Sequence, residues 1–128
     1  MTLIHKELSY KIVGCAMEVH KTLGSGFLEA VYEKALMVEF EAKGLRFQSQ
    51  VSFPVIYKGV KVKDYGCDLV VNDLVLVELK AVTKLTDIDR AQSINYLKVT
   101  GMELALLNNF RRTSLEHERL VVSQRRPS

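Results

Sequence analysis

Two apolar runs separated by Asn72-Asp73 constrain the possible folds of this chain more than any other segment. Residues 67–71 are mostly valine and leucine, and residues 74–81 return to the same composition after the Asn-Asp pair. Runs of this length on either side of a short turn that contains Asn or Asp predict a β-hairpin. The second run is apolar at both alternating sets of positions, so we expect it to form a central strand that is buried on both faces.

Three charged residues lie within this hairpin. Asp68 is in the first strand, whereas Glu78 and Lys80 are two residues apart in the second strand and therefore share a face. Charges are costly to bury without partners, so we expect the three to meet one another or a ligand. The turn decides whether they meet. A two-residue loop places Asp68 opposite Val77, whereas a three-residue loop or a bulge places it opposite Glu78.

If Asp68 and Glu78 meet, their charges repel unless a cation lies between them. Carboxylate oxygens, together with water and a phosphate oxygen, suit Mg²⁺ or Mn²⁺, and the carbonyl of Leu79 is available as a further ligand. Such a cation stabilises negative charge on phosphorus and activates a water molecule, which Lys80 could orient or deprotonate. The alternative for these residues is a plain salt bridge at a strand end, between Glu78 and either Lys80 or a basic residue from elsewhere in the chain.

A fourth charged residue lies near the start of a predicted helix over residues 27–43. Glu29, Tyr32, Leu36 and Phe40 follow at three- and four-residue steps and form one stripe. This stripe adjoins a second, apolar stripe made by Leu28, Val31, Ala35, Val38 and Ala42. We therefore predict that Glu29 lies in the apolar face, where its carboxylate needs a partner such as the cation. The alternative is a glutamate at the boundary of the core, bonded to a neighbouring backbone group. Glu33 follows four residues later, and we expect it to be exposed on the surface.

Gln92 and Tyr96 lie four residues apart on a predicted helix over residues 87–100, so they share a face. Thr86 and Asp89 have the spacing of a capping box at the start of that helix. Because the helix directly follows the second hairpin strand, we expect it to pack near the end of that strand, where amide and phenol groups can bind a phosphate oxygen. The alternative is that Tyr96 belongs to the core and Gln92 to its boundary.

The remaining pattern predicts one α/β domain over residues 1–128. Apolar residues make up 48% of the 128 residues and charged residues 26%, a composition typical of a folded soluble protein. Helices are predicted at 6–23, 27–43 and 87–100, strands at 45–57, 60–71, 74–81, 103–108 and 115–122, and a loose tail at about 123–128. This order favours a mixed sheet of four to five strands flanked by helices.

Charge and hydropathy limit the classes of partner. A net charge of +3 permits a polyanionic partner without requiring one. Lys58, Lys61 and Lys63 cluster near one predicted turn, for which ordinary solvated surface is the alternative. No apolar run approaches the ~20 residues that span a bilayer, and no signal-peptide pattern is visible, so we expect a cytoplasmic protein without a membrane partner. Cys15 and Cys67 are expected to be buried thiols.

The motif Gly26-x-x-Glu29-x-x-Tyr32 resembles the signature of the GxxExxY proteins, a small bacterial and archaeal group. The resemblance covers most of the chain, from about residue 10 to residue 122, and the further matching segments are residues 19–26, 54–59, 77–82 and 91–98. That group is similar to a branch of the PD-(D/E)XK nuclease superfamily. The superfamily implies a restriction-endonuclease-like α-β-β-β-α-β core, which agrees with the order of elements read from the periodicity.

The resemblance also implies roles for particular residues. Asp68 matches the hairpin aspartate, Glu78 and Lys80 match the (D/E)-x-K pair, and Glu29 matches the acidic residue of the leading helix. These four would be the catalytic residues. Asp68, Glu78, Glu29 and the Leu79 carbonyl would hold the metal.

Three further residues would contact substrate. Gln92 and Tyr96 resemble the Gln-x-x-x-Tyr helix motif of the recombination-exonuclease branch, and Tyr32 belongs to the GxxExxY signature. Two positions depart from the superfamily pattern, since Cys67 stands where proline precedes the aspartate and Gly66 stands where relatives carry arginine. The absence of that base weakens binding of substrate but leaves metal binding intact.

These features lead to three functional hypotheses. The first is a Mg²⁺- or Mn²⁺-dependent phosphodiesterase that acts on nucleic acid, DNA more than RNA, with low sequence specificity because no base-reading module is evident. The second is a protein of the same fold that binds nucleic acid or a protein partner without useful turnover. The third is an enzyme that acts on another phosphate ester. A homodimer is compatible with each of them.

Overall fold

The computed structural model describes residues 4–122, within which three helices and five strands follow in the predicted order. They are α1 (Lys6–Leu23), α2 (Glu29–Ala42), β1 (Phe47–Tyr57), β2 (Val60–Val71), β3 (Val75–Lys80), α3 (Asp87–Thr100), β4 (Leu104–Asn109) and β5 (Glu116–Val121). The predicted capping box at the start of α3 is present, with Thr86 and Asp89 bonded reciprocally. The tail predicted at 123–128 lies outside the described residues.

The strands form one mixed sheet in the order β1-β2-β3-β4-β5. β1, β2 and β3 are antiparallel neighbours, β5 is antiparallel to β4, and β3 and β4 are parallel. A parallel pair requires a long crossover, which α3 supplies. β3 is central, and every residue from Val75 to Leu79 is buried. The predicted fold class, an α/β fold with a mixed sheet flanked by helices, is confirmed.

The turn between β2 and β3 has the longer of the two predicted forms. Val71 pairs with Val75, so residues 72–74 form a three-residue loop. The first two loop residues have positive φ angles of 52° and 58°, a conformation that asparagine and aspartate tolerate better than most residues. This register, continued by one more pair, sets Asp68 opposite Glu78, as the site chemistry requires.

The helices cover both faces of the sheet. On one face, α1 and α2 pack on the sheet around a cluster that includes Ile12, Phe40, Val77 and Leu106. On the opposite face, α3 covers a smaller cluster that includes Val70, Leu76, Leu97 and Ala105. Because side chains alternate along β3, Glu78 and Lys80 share the face of Leu76 and lie on the α3 side.

The prediction that α2 buries a second apolar stripe was wrong. α2 buries Tyr32, Leu36 and Phe40, whereas Leu28 and Val38 are 80% and 68% exposed. Glu29 is exposed as well. Burial therefore does not force Glu29 to find a partner, and its role depends on the contacts described below.

β1 and β2 are irregular beside Asp68. The pairing is in register on both sides of this point, but Gln50 and Asp68 are not paired with each other. Gln50 has a φ angle of 51°, a left-handed conformation that few side chains adopt without strain. Cys67 and Val70 lie in the same cluster despite their odd separation, so the alternation of side chains is broken at this point. Asp68 thus lies at a local distortion of the sheet.

No helix within residues 4–122 is both long and apolar enough to cross a bilayer. Cys15 and Cys67 are free and buried, as predicted. Burial, with smaller contributions from the Glu78 and Asp68 charges, raises the pKa of the Cys67 thiol to about 12. A thiol with such a pKa is unreactive at neutral pH.

Candidate active site

Asp68 and Glu78 meet across β2 and β3, and each carboxylate accepts a hydrogen bond from the backbone of the other strand. The Leu79 N–H donates to Asp68 Oδ2 at 2.8 Å, and the Asp68 N–H donates to Glu78 Oε1 at 3.3 Å. Asp68 is half-buried, whereas Glu78 is only 5% exposed. The two bonds hold both carboxylates side by side near the carboxyl end of β3.

The environment of Glu78 opposes its ionisation. Burial is the main cause that raises the pKa of its carboxyl to about 8, and the Asp68 charge raises it further. The Asp68 N–H and the Lys80 charge lower this pKa without cancelling the shift, and Glu29 adds a small increase. Strongly shifted carboxyl groups beside a second carboxylate are typical of functional sites. A cation beside the pair would favour the ionised form.

Lys80 ends β3, and its amine is held by α3. Lys80 Nζ donates to Gln92 Oε1 at 3.2 Å and lies 3.9 Å from Asp89 Oδ1. Its side chain is 22% exposed, so the amine is fixed at the mouth of the site rather than free in solvent. The alternative salt bridge between Glu78 and Lys80 is absent from the ion pairs among residues 4–122, because the amine turns to the helix instead.

Asp89 is a site neighbour that the sequence reasoning treated only as a helix cap. Its Oδ2 accepts hydrogen bonds from the Thr86 N–H and hydroxyl at 3.0 and 3.2 Å, while its Oδ1 faces Lys80. Positions 89, 92 and 96 follow at helical spacing, so a signal for a shared face was present in the sequence.

Tyr96 belongs to the apolar cluster on the α3 side of the sheet. It is buried, and its ring lies 4.3 Å from the ring of Tyr65, measured between centroids. Burial is the first cause that raises the pKa of its hydroxyl, followed by the charges of Glu78, Tyr65 and Asp68. A neutral phenol beside the acid pair is a hydrogen-bond donor at any physiological pH.

Glu29 approaches the same strand end from the opposite helix layer. Its Oε2 accepts a hydrogen bond from the Ala81 N–H at 3.2 Å, directly after β3. The contribution of its charge to the raised pKa of Glu78 shows that the two carboxylates are electrostatically coupled. The backbone-bonded alternative predicted for Glu29 therefore describes its contact, and this contact keeps the carboxylate near the site.

Asn109 fixes the chain as it leaves β3. It ends β4 and is fully buried. Its side-chain Oδ1 accepts from the Val82 N–H at 3.0 Å, while its Nδ2 donates to the Val82 carbonyl at 2.8 Å and to Glu116 Oε1 at 2.9 Å. The next residue, Phe110, donates its N–H to the Lys80 carbonyl at 2.9 Å. The sequence did not single out Asn109, which directly follows the predicted strand 103–108.

Glu33 and Gln50 border the site on the β1 side. Gln50 Nε2 donates to Glu33 Oε1 at 2.7 Å. Partial burial raises the pKa of Glu33, the Gln50 bond opposes this, and the Asp68 charge raises it again. The expectation that Glu33 is an exposed surface residue was wrong, since it is half-buried and coupled to Asp68.

Tyr32 has a structural position. It is fully buried, stacks on Phe110 at 4.4 Å between ring centroids, and donates its hydroxyl to the Gly24 carbonyl at 2.6 Å. The same hydroxyl accepts from the Phe27 N–H at 3.2 Å. The hydroxyl therefore fixes the loop that leads into Glu29, and the substrate contact of Tyr32 stays a prediction.

The donor set suits a hard divalent cation at Asp68 and Glu78. Mg²⁺ in phosphoryl-transfer sites is bound by one or two carboxylates together with water and phosphate oxygens. Within residues 4–122, no three acidic, histidine or cysteine side chains converge closely enough to form an all-protein metal cage. The two adjacent carboxylates of Asp68 and Glu78 agree with binding of Mg²⁺ by few protein ligands, with water and phosphate oxygens as the others. Glu29 is coupled to Glu78 but bonded elsewhere.

Comparison with known proteins agrees with this geometry. A family model described as the PD-(D/E)XK nuclease superfamily matches residues 6–120. A solved structure described as "Crystal structure of SSO0001" has a TM-score of 0.56 and 13% sequence identity and covers 72% of this chain. The chain spans 48% of the length of that structure, and the similarity concerns the fold alone. No curated protein matches the sequence. Since the family model covers most of the chain, the protein belongs to the PD-(D/E)XK nuclease superfamily.

Proposed function

We propose that the protein is a divalent-cation-dependent phosphodiesterase that cleaves nucleic acid. The observation that carries the proposal is the meeting of Asp68 and Glu78 across a three-residue turn, with Lys80 on the same face. This arrangement needs a register that an apolar hairpin does not adopt by default, because the two-residue turn would separate the two acids.

Asp68, Glu78 and, on closer approach of the helix, Glu29 are the residues that would hold Mg²⁺ or Mn²⁺, with the Leu79 carbonyl as an additional oxygen. When bound, the cation supplies charge stabilisation for the phosphoryl oxygens and lowers the pKa of water. The chain itself places the carboxylates, since main-chain N–H groups orient Asp68 and Glu78 before any ligand arrives. Such preorganisation avoids reorganisation cost during the reaction.

Lys80 has the position of the residue that orients the attacking water or neutralises a phosphate oxygen. Its amine is held by Gln92 on α3 and by the more distant Asp89. Gln92 thereby positions Lys80, and its amide nitrogen is available to substrate. Tyr96 offers a neutral hydroxyl beside the acid pair. We propose DNA as the preferred substrate, with cleavage of low sequence specificity.

Cleavage assays with variants of Lys80 test this function. Wild-type protein is incubated with plasmid DNA, single-stranded DNA and RNA over a millimolar series of Mg²⁺ and Mn²⁺. Lys80→Ala is expected to lower cleavage by at least 100-fold, because general acid–base and charge-stabilising groups contribute about 10²–10⁴ in rate. The matched control Lys21→Ala removes an exposed lysine of α1 and is expected to cut like wild type.

Folding of both variants is checked by circular dichroism and thermal unfolding. If wild-type protein cuts none of the substrates with either metal, the proposed function is wrong. If wild type cuts but Lys80→Ala cuts equally well, the assignment of the site is wrong and the activity comes from elsewhere.

A second function is binding of nucleic acid without turnover. The observation that favours it is the hydrogen bond from the Ala81 N–H to Glu29. Because Glu29 is bonded there, only Asp68 and Glu78 are adjacent at the candidate metal site, and no group of three possible ligands forms within residues 4–122. DNA binding that is independent of divalent cation, with no cleavage, is the result expected from this alternative.

A further inference from the structure

The β1–β2 hairpin projects beyond the rest of the sheet. β3 pairs with β2 only over Leu69–Val71, whereas β1 and β2 pair with each other as far as Tyr57 and Val60. Residues 51–57 and 60–66, here called the outer arm, therefore form a two-stranded ribbon. Within residues 4–122, no third strand pairs with this ribbon.

The tip of the outer arm combines exposed apolar side chains with lysines. Four large apolar side chains there are 57–62% exposed: Ile56, Tyr57, Val60 and Val62. The charged side chains of the arm and its turn are Lys58, Lys61, Lys63 and Asp64. Lys61 Nζ lies 3.1 Å from Asp64 Oδ2, and Lys58 Nζ lies 5.5 Å from the centroid of the Tyr57 ring. Three lysines against one aspartate make this a positive surface in a chain whose net charge is only +3.

The outer arm is continuous with the candidate active site. Tyr65, in its near half, packs on Tyr96, and Cys67 belongs to the same cluster. Side chains alternate along a strand, so Lys63 lies on the same side of β2 as Tyr65. Because a strand rises about 3.3 Å per residue, Lys63 lies roughly 16 Å and Val60 roughly 26 Å along β2 from Asp68.

The distances of Lys63 and Val60 from Asp68 correspond to a short length of nucleic-acid strand that extends from the site along the arm. Successive phosphates on one strand of a duplex are spaced about 3.4 Å along the helix axis, so roughly 16–26 Å covers about five to eight nucleotides. Lysines supply phosphate contacts that do not depend on sequence, and an exposed tyrosine offers a face for stacking on a base.

We propose that the outer arm binds the sugar-phosphate backbone of the substrate about five to eight nucleotides from the scissile phosphate. This inference rests on the proposed function, because it takes Asp68 as the position of the reacting phosphate. The arm supplies affinity away from the reacting atoms. Its lysines thereby provide basic groups for the substrate in a chain where Gly66 stands in place of the expected arginine.

The same lysines have another physical use. Lysine side chains on exposed strands prevent edge-to-edge pairing between copies of a protein. If this were their whole role, their removal would cause self-association and leave DNA binding unchanged. Measurements of DNA binding and of oligomeric state on the same variants therefore distinguish the two roles.

The test compares two triple variants of equal net charge. The arm variant is Lys58→Gln/Lys61→Gln/Lys63→Gln, and the control variant is Lys11→Gln/Lys21→Gln/Lys43→Gln on α1 and at the end of α2. Binding of fluorescein-labelled DNA is measured by anisotropy with EDTA, on a duplex of about 30 base pairs and on a duplex of about six base pairs, lengths set by the phosphate spacing. Cleavage of the long duplex is measured in parallel, and the oligomeric state is measured by size-exclusion chromatography with light scattering.

We expect the arm variant to bind the long duplex at least tenfold more weakly than wild type, and the control variant to stay within threefold. For the arm variant, the slope of log K against log salt concentration is expected to become less steep by about two to three. Each phosphate contact contributes ~0.9 to this slope, and the variant lacks three lysines. The short duplex spans roughly 17 Å, so from the site it reaches Lys63 but not the tip of the arm. The arm variant is therefore expected to lose less affinity for the short duplex than for the long one.

Equal binding of the long duplex by wild type and the arm variant overturns the inference, whether or not the variant self-associates. The proposed function fails separately. Wild-type protein that binds through the arm but does not cut DNA refutes the phosphodiesterase and keeps the arm. Protein that cuts DNA with no dependence on the arm refutes the arm and keeps the phosphodiesterase.

Discussion

Replacement of Glu78 by glutamine is expected to stabilise the metal-free protein at alkaline pH. Burial and the Asp68 charge raise the pKa of Glu78 from 4.5 to about 8, so the folded state binds a proton that the unfolded state has released over this range. The stability that Glu78 contributes is therefore fully present below about pH 4.5 and is lost as pH rises through about 8. In the Glu78→Gln protein the side chain has no charge to bury. Its amide can donate to Asp68 while its oxygen accepts the Asp68 N–H.

The magnitude follows from the size of the shift. A shift of between three and four pH units at ~1.4 kcal/mol each gives a difference of about 5 kcal/mol above pH 8. For a domain of this size, 1 kcal/mol changes Tm by roughly 4 °C, so Glu78→Gln is expected to raise Tm by about 20 °C at pH 9 and hardly at all at pH 4. The difference in Tm between the two proteins is measured at pH 9 and at pH 4 in EDTA, with circular dichroism as the signal for thermal unfolding.

A matched control and a metal titration complete the experiment. Glu41→Gln removes an exposed carboxylate of α2 and is expected to change stability by less than about 0.5 kcal/mol at either pH. Mn²⁺ is expected to raise the Tm of wild type, by about 1.4 kcal/mol of stability at ten times its Kd, and to affect Glu78→Gln much less. A Glu78→Gln protein that is less stable than wild type at pH 9 would refute the reasoning, because it would mean that the ionised carboxylate is favourable in the empty site.

Two further substitutions test other parts of the structure. Tyr32→Phe removes the hydroxyl that bonds Gly24 and Phe27. It is expected to cost about 1–2 kcal/mol in urea unfolding without changing the KM for DNA, whereas a raised KM would support the predicted contact of Tyr32 with substrate. Glu118→Gln removes the partner of Arg90, whose two hydrogen bonds to it lower the pKa of Glu118. The stability that this ion pair contributes is present above pH 4.5 and is lost as pH falls through the lowered pKa of Glu118. The difference in Tm between wild type and Glu118→Gln should therefore be largest at pH 7 and disappear in acid. A difference in Tm that is the same at both pH values would contradict this prediction.

The order of elements could be predicted because each has a strong local pattern. Helix α3 begins at a capping box and ends at Gly101, which has a positive φ of 75°, and both signals are short-range. The central position of β3 followed from its lack of polar positions before Glu78. Such features depend on neighbouring residues only, so one sequence is sufficient to predict them.

The site was predicted less completely because it depends on the register between β2 and β3 and on the rotation of α2 about its axis. The sequence between Val71 and Val75 is compatible with two loop lengths, and only backbone angles decide between them. The rotation of α2 about its axis is set by packing on the sheet, and this rotation leaves Glu29 exposed. Gln50 carries no local sign of a left-handed conformation, since glutamine is not enriched there.

The carboxylates of Asp68, Glu78 and Glu29 each accept a hydrogen bond from a main-chain N–H group, that of residue 79, 68 and 81 respectively. Such groups exist at every position except proline, so the placement of the acids does not depend on which side chains stand at positions 79 and 81. A change of side chain at position 79 or 81 therefore leaves the hydrogen-bond donors of Asp68 and Glu29 in the chain. Proline at position 79 or 81 is the one substitution that removes the donor itself, because proline has no backbone N–H group.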